Sequence, residues 1–441
     1  MNAIGIIGLL LGIAFLIWGA YKGLGALPLS LIAAIIVAVT NGMPLWTSLS
    51  SLYMAGYAGT YTGYFLIFAF SALYAKVMDT AGCTTTIGYK MIDWFGKKSV
   101  ILVIILITAV LTYGGVSLFV CIFAVGPIAF MLLKQANLPR SLVPGAIYVG
   151  AATLTMTSLP GSPQLTNIIP SNFLGTSMTA APILGIICSI FLLGGGIAWM
   201  LYSTKKRVAA GEVFTAPAHI PEAAFAEKDR STPPNAWQAF IPVVFLILFI
   251  IIGGRWIKDA NMLTCLAMVL SAILCYILNF KFLKKASLKK ILADGLGDAI
   301  PAIGGLAAVV AFGTVVSNSG AFTKVVEWVL SLKMSPYWKG IFSTAVISGI
   351  TGSSSGGLKL MYQNMAEYFV NSGCNLEFLH RLTAIAAGSL DSLPHCSGTF
   401  LLMAYTGCTH KDSYKDICVV SVIIPAIVVV VATLIVTLIG M

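Results

Sequence analysis

From Gly388 to Gly398 the chain reads Gly-Ser-Leu-Asp-Ser-Leu-Pro-His-Cys-Ser-Gly, which sets one acid, Asp391, and one imidazole, His395, four residues apart around Pro394. The flanking sequence is apolar, and an ionisable group at that depth of a hydrophobic span is costly and usually functional. Either group could load and release a coupling ion, since an imidazole titrates near neutral pH. A plainer role is open to both: Asp391 could cap the helix that follows, and His395 could bond carbonyls that the proline leaves free. Three more places collect groups of the same kind. The first is Thr112-Tyr113-Gly114-Gly115-Val116-Ser117, the second runs from Thr155 to Asn167, and the third is Thr351-Gly352-Ser353-Ser354-Ser355-Gly356-Gly357 with Lys359 just beyond. Glycine and proline permit tight turns, and hydroxyls and amides offer neutral ligands. A helix that starts at such a turn presents free N–H groups and the positive end of its dipole, so a carboxylate can bind there without a dedicated salt bridge. The expected contacts of a small anionic organic acid are therefore Gly114, Gly115 and Ser117; Thr157, Ser158, Ser162, Gln164 and Asn167; Ser353, Ser354, Ser355, Gly356 and Lys359; and Ser392 and His395. Asp391 and His395 are expected to carry the coupling ion. Lys359 could pair with the carboxylate or reach lipid phosphate at the interface.

Other chemistries find less support. Ser, His and Asp all occur between 389 and 395, but a nucleophile and a base on one short break lack an orienting third group, so no enzyme is expected. Nine cysteines show no Cys-x-x-Cys spacing, and neither disulfide nor metal nor any other cofactor is read from them. No Gly-x-x-x-x-Gly-Lys-Ser/Thr motif occurs, so transport would draw on an ion gradient rather than ATP. The net charge of +11 reports membrane topology here, because cytoplasmic loops gather Lys and Arg, and no nucleic acid partner is expected.

The elements that must position these residues follow from composition. The chain has 441 residues, 58% of them hydrophobic and 9% charged, with a mean hydropathy of +0.95. Apolar runs long enough to cross about 30 Å of hydrocarbon as helices recur along its whole length. The ten-residue alternating runs of a β-barrel are absent. The expected fold class is an all-α polytopic membrane protein, with lipid as its surroundings. The N-terminal run lacks a basic region and a cleavage site, so it reads as a first membrane helix rather than a removed signal.

Spans and breaks recur in the same order in two halves. Residues 1–203 form a first repeat, with a hairpin at 99–133 and a broken helix at 141–170. Residues 204–236, with Lys205-Lys206-Arg207 and Pro233-Pro234, read as a cytoplasmic linker. Residues 237–441 form the second repeat, with a hairpin at 336–371 and a broken helix at 378–406. Thr157-Ser158-Leu159-Pro160 answers Asp391-Ser392-Leu393-Pro394, and Gly114-Gly115 answers Gly356-Gly357. If each hairpin is re-entrant, each half holds five full crossings, and an odd number inverts the second half. With both termini outside, nineteen of the 26 Lys and Arg fall on cytoplasmic segments, six outside (Arg255, Lys258, Lys324, Lys333, Lys339, Arg381), and Lys359 beside a tip. That bias supports inverted repeats, an architecture common among secondary transporters. Lys76 and Asp79 read as an interfacial ion pair. Lys281, Lys284, Lys285, Lys289 and Lys290 read as an interfacial helix drawn to anionic lipid.

At Tyr113-Gly114-Gly115-Val116-Ser117, at Thr155 through Gln164 and at Gly388 through His395 the sequence resembles the gluconate permease family of the ion-transporter superfamily. The resemblance spans the chain. It implies a proton symporter of the bacterial inner membrane for small hydroxy or sugar acids, a homodimer that works by an elevator-type movement of the hairpin domain. Leu159-Pro160-Gly161-Ser162-Pro163 departs from the proline- and histidine-rich break of the gluconate carriers. It looks closer to members associated with short hydroxycarboxylates such as 3-hydroxybutyrate, or with citrate-type acids. Sodium could replace the proton by binding carbonyls and hydroxyls at the same breaks. A channel whose filter is made of the polar tips is the competing class; broken helices in a twofold inverted layout suit alternating access better.

Overall fold

The computed structural model describes residues 2–22, 24–95, 99–116, 118–217, 234–253, 255–257, 259–284 and 286–439. Ser117, Lys97, Lys98, Lys258, Lys285 and residues 218–233 of the expected linker lie outside them. The described residues are helical, with no strand among them. Among the described residues four helices are long and apolar enough to cross a membrane: Leu45–Thr80, Pro182–Ala209, Asn261–Leu278 and His410–Leu438. Shorter apolar helices include Ala3–Gly19, Leu27–Thr40, Val100–Tyr113, Ala236–Ile250 and Ile303–Ser317. Large apolar side chains such as Trp46, Ile183, Phe191 and Leu438 are exposed on the outside, as expected of a surface whose solvent is lipid rather than water.

Around Met54–Thr80 pack Ala299–Ser317, Ala260–Leu278 and Leu288–Gly297; Ala26–Thr40 joins them through Ala299–Ser317, and Asn2–Tyr21 packs on Ala26–Thr40. A second set contains Val100–Tyr113, the segment Val149–Ser158, Pro182–Ala209, Pro336–Thr351, Ser354–Asn371, Leu376–Leu390 and Ile424–Leu438. Two helix pairs in this region turn back sharply. Val100–Tyr113 is followed by Leu118–Ala136, and Pro336–Thr351 by Ser354–Asn371, each helix packed against its successor. The leading arms have 14 and 16 residues, about 21 and 24 Å at 1.5 Å per residue, less than the hydrocarbon thickness.

Local chemistry explains where these helices stop. Gly352 ends its helix in the left-handed conformation, φ +61°, with its N–H on the Ser348 carbonyl, a geometry that costs a residue with a Cβ. Ser353 is extended and accepts a hydrogen bond from the Gly356 N–H, 3.1 Å, which caps the next helix. In the first half the chain leaves Ser158 in an extended Leu159, turns at Gly161 with φ +80°, and re-enters a helix at Leu165 after an extended Gln164. In the second half Leu376–Leu390 ends at Asp391, and Ser397–Thr406 starts after a short turn. The first break is preceded by ten residues wound as a π-helix, Val149–Ser158. Such winding is rare, frequent at functional sites, and leaves carbonyls to be met by side chains. Thr153 Oγ1, within it, donates to the Val420 carbonyl at 3.1 Å, inside a second π-helical stretch, Cys418–Ile423.

Three charges are placed otherwise than the sequence suggests. Lys76 pairs with Asp294, 3.4 Å, rather than with Asp79, because Leu288–Gly297 packs along Met54–Thr80 and supplies a nearer acid. Lys339 and Arg381, counted among the outside charges, are buried at 7% and 0% exposure. Lys339 Nζ lies over the Tyr368 ring, 4.9 Å from its centroid. The basic stretch 281–290 forms two short helices, Phe280–Leu283 and Leu288–Gly297, rather than one.

Candidate functional site

All four polar interruptions meet at one cavity, with about 810 Å³ of empty space including its open mouth. Gly115 of the first tip, Pro163 and Gln164 of the first break, Gly352 to Ser355 of the second tip, and Asp391, Cys396 and Gly398 of the second break line it. Apolar walls come from Ile67, Phe68, Met268 and Leu306, helices of the first set. A mostly apolar chamber with a few convergent polar groups is the usual form of a small-molecule site.

The first tip and first break are bonded into one body. Thr112 Oγ1 and Thr155 Oγ1 lie 2.6 Å apart, and Tyr113 Oη donates to the Pro160 carbonyl at 2.8 Å. Gln164 Nε2 donates to the carbonyls of Thr112, 2.7 Å, and Val116, 3.3 Å. Both amide hydrogens are thereby used, so Gln164 can offer a ligand only its carbonyl oxygen, an acceptor suited to a hydroxyl. Ser71 Oγ of Met54–Thr80 fastens the tip from outside by donating to the Gly115 carbonyl, 2.8 Å.

The second tip carries the opposite chemistry. Ser354 and Ser355 begin a helix whose free N–H groups face the cavity region, and Asp391 stands over that helix end. Its carboxylate accepts from Ser392 Oγ, 2.7 Å, and lies beside Ser354 at the start of that helix. Asp391 is 9% exposed and forms part of the wall. A carboxylate is stabilised at a helix N-terminus by the dipole and the unpaired amides. A second carboxylate entering the cavity would compete for the same amides and be repelled by the first.

Several expected contacts stand behind this wall. Thr157 Oγ1 donates to the Thr153 carbonyl and Ser158 Oγ to that of Leu154. Ser162 Oγ is buried without a partner, and Asn167 is buried beside it, donating to the Ser162 carbonyl at 3.1 Å. Gly114 packs on Val243, and the Gly356 N–H is spent on the Ser353 cap. Lys359 Nζ lies over the Tyr64 ring, 5.4 Å from its centroid. Ser392 bridges Asp391 and Ser421.

His395 faces away from the main cavity. Its Nε2 donates to the Gly349 carbonyl at 3.0 Å, its ring lies under Gly352, and it lines a separate small cavity with Ser30, Phe312 and Thr351. Pro394 turns the chain so that the imidazole buttresses the second tip from behind. Ser117, expected at the first tip, lies outside the described residues.

The sequence reading missed Arg381. It is fully buried and donates to Asn167 Oδ1, 2.7 Å, and to the carbonyls of Thr157, 3.3 Å, Met178, 3.3 Å, and Ala180, 3.1 Å. The available signal was its place beside His380 on the polar side of an otherwise apolar span, the criterion that singled out Asp391.

Comparison with known proteins agrees with this architecture. Residues 3–439 match the family model described as GntP family permease. The chain is 32% identical to a Bacillus subtilis protein named uncharacterized transporter YxjC, over 94% of this chain and 95% of that one. It is 24% identical to a gluconate permease of Bacillus licheniformis, over 93% of each. A crystal structure of the YdaH transporter of Alcanivorax borkumensis, described as having an unusual topology, shares the fold with a TM-score of 0.55 over 88% of both chains at 10% identity. A match along nearly the whole length, together with helix breaks meeting at one cavity, places this chain in the GntP family of permeases, multi-pass membrane transporters and not enzymes.

Proposed function

We propose that the protein is a symporter of the bacterial inner membrane that takes up a short hydroxycarboxylate, such as 3-hydroxybutyrate, together with a proton. The observation that carries the reading is Asp391 lying on the N-terminus of Ser354–Asn371 inside the cavity. While Asp391 is ionised it holds the amides that a substrate carboxylate needs; once protonated it leaves the positive helix end to the substrate. Proton and acid are thus bound together. Gln164, with only its oxygen to offer, suits the substrate hydroxyl, and Ser353, Ser354 and Ser355 suit the carboxylate. Gluconate is the second reading, favoured by the name of the Bacillus licheniformis relative. Sodium is the alternative coupling ion, since a cation beside Asp391 would neutralise it as a proton does.

The same reading takes the two halves as inverted repeats with both termini outside, and the two short-armed hairpins as re-entrant. A recurring bond supports the repeat: Ser158 and Ser189 hydroxyls lie 2.8 Å apart in the first half, and Ser392 and Ser421 hydroxyls 2.7 Å apart in the second. An elevator-type movement would carry the tips and breaks, as the second helix set, past the Met54–Thr80 set, within a homodimer. Uptake into proteoliposomes of labelled 3-hydroxybutyrate, gluconate, citrate and succinate, under a proton gradient and separately under a sodium gradient, tests the proposal. Accumulation of a hydroxymonocarboxylate under the proton gradient alone is expected. Passage of every acid at equal rates without accumulation would replace the symporter by a channel.

A further inference from the structure

Arg381 is a guanidinium buried inside the protein whose hydrogen bonds all go to neutral oxygens. Nη1 meets Asn167 Oδ1 and the Thr157 carbonyl, Nη2 the Met178 and Ala180 carbonyls, and Nε the Ala180 carbonyl at 3.3 Å. Among the described residues no carboxylate lies within salt-bridge distance of it. Burying a charge without a counter-charge is expensive, and a neutral donor could tie two segments together at lower cost. A planar fork can do what a neutral amide cannot: it bonds in several directions at once from one rigid group. Here those directions reach both sides of the first break. Thr157 lies just before it, Asn167 just after it, and Met178 and Ala180 belong to the turn that covers it.

The bonds continue inward. Because Asn167 Oδ1 is held by Arg381, its Nδ2 must point the other way, where it donates to the Ser162 carbonyl at 3.1 Å. That bond closes the turn ahead of Gln164, whose amide is clasped by the first tip and whose side chain lines the cavity. Helix Leu376–Leu390, which carries Arg381, touches the break a second time: a Cβ on Gly388 would stand 2.4 Å from Thr157 Cγ2. We propose that Arg381 is a positioning residue, reaching from the second half to fix the first break in the shape that presents Gln164 to the substrate hydroxyl, and so setting affinity for the carried acid. The proposal rests on the substrate reading of the cavity.

Arg381→Lys and Asn167→Asp are the variants to compare. The first keeps the charge and loses the fork; the second gains a counter-charge for the guanidinium and loses the donor to Ser162. Each is purified in detergent, its monodisperse fraction is measured, and uptake per folded molecule is resolved into KM and maximal rate. Both variants should raise KM on the order of tenfold, the scale for residues that orient a ligating group from behind, with the maximal rate changed much less. A merely structural role predicts less folded protein with an unchanged KM, and that result overturns the proposal. Hydrogen exchange of the backbone from 157 to 167 gives a readout that does not involve transport. It should quicken in both variants while exchange at 352 to 357 stays as in the parent protein. If no acid is carried even by the parent protein, the functional reading fails, and exchange alone judges Arg381: unchanged protection from 157 to 167 would sink it.

Discussion

At the scale of single residues, Asp391 unites three conditions that rarely coincide: it lines a cavity, it is nearly buried, and it sits on free helix amides. Asp391→Asn keeps the shape and an acceptor for Ser392 but removes the titrating proton. Proton-driven accumulation of the acid should be lost while the folded fraction stays near that of the parent protein, as read by size-exclusion chromatography beside uptake. Accumulation at the parent level would remove Asp391 from the coupling step. Ser354→Ala takes away a hydroxyl beside the acid and in the cavity wall, and the KM for the carried acid should rise by about tenfold or more, the effect of one hydrogen bond to a charged group; an unmoved KM would reduce the tip to a turn. The four polar interruptions that meet at the cavity were legible in the sequence because polar residues inside apolar runs are conspicuous. Which of them face inward was not. Gln164 and Thr157 look alike in sequence, yet one lines the wall and the other spends its hydroxyl on its own helix. Arg381 reads as an outside charge for the same reason: three-residue proximity to a span end suggests a loop, and only tertiary packing brings four oxygens to it.

Among elements, the second tip shows how far backbone geometry depends on a neighbour. Gly352 adopts φ +61°, and a Cβ added there would lie 2.7 Å from the His395 ring. Gly352→Ala should therefore destabilise the protein by about 1–3 kcal/mol from the backbone strain alone, seen as a lower unfolding temperature in detergent, and raise KM because the Ser353 cap shifts with it. Retention of the parent stability would mean that the tip is looser than its bonding indicates. The glycine and serine runs announced helix ends at both tips, since turn chemistry is local. Pairing between elements is not local. Lys76 finds Asp294 rather than Asp79 only because a distant amphipathic helix lies alongside it, and His395 turns its back to the main cavity because Pro394 redirects the chain.

For the whole molecule, composition sufficed to announce an all-helical membrane protein, because nothing but lipid accommodates so many apolar helices. The contacts that join its parts were not legible. Arg207, at the end of Pro182–Ala209, bonds Asp416 at 2.9 Å and Glu212 at 3.2 Å, and Trp199 Nε1 donates to Asp416 at 3.0 Å. The pair links residues more than 200 positions apart, a separation at which no periodicity speaks. Asp416→Ala takes the buried partner from the guanidinium while Glu212 remains, and should cost about 1–3 kcal/mol, measured as a shortened half-life at elevated temperature, the appropriate quantity where unfolding is irreversible.

The two halves share a serine–serine bond, but where the second half has Asp391 the first has Thr157. Among the described residues Asp391 is the one acid in the cavity wall. On the proton-symport proposal, one acid to load would mean one proton moved per turnover. A monocarboxylate accompanied by one proton carries no net charge, so the membrane voltage does no work on it, and the pH difference alone sets how far it is concentrated, about tenfold per unit. A dicarboxylate would cross with one negative charge to spare, and an inside-negative voltage would drive it out. On that proposal, the replacement of one side chain between the two halves would decide which acids a cell concentrates on the pH difference alone and which must also work against the membrane voltage.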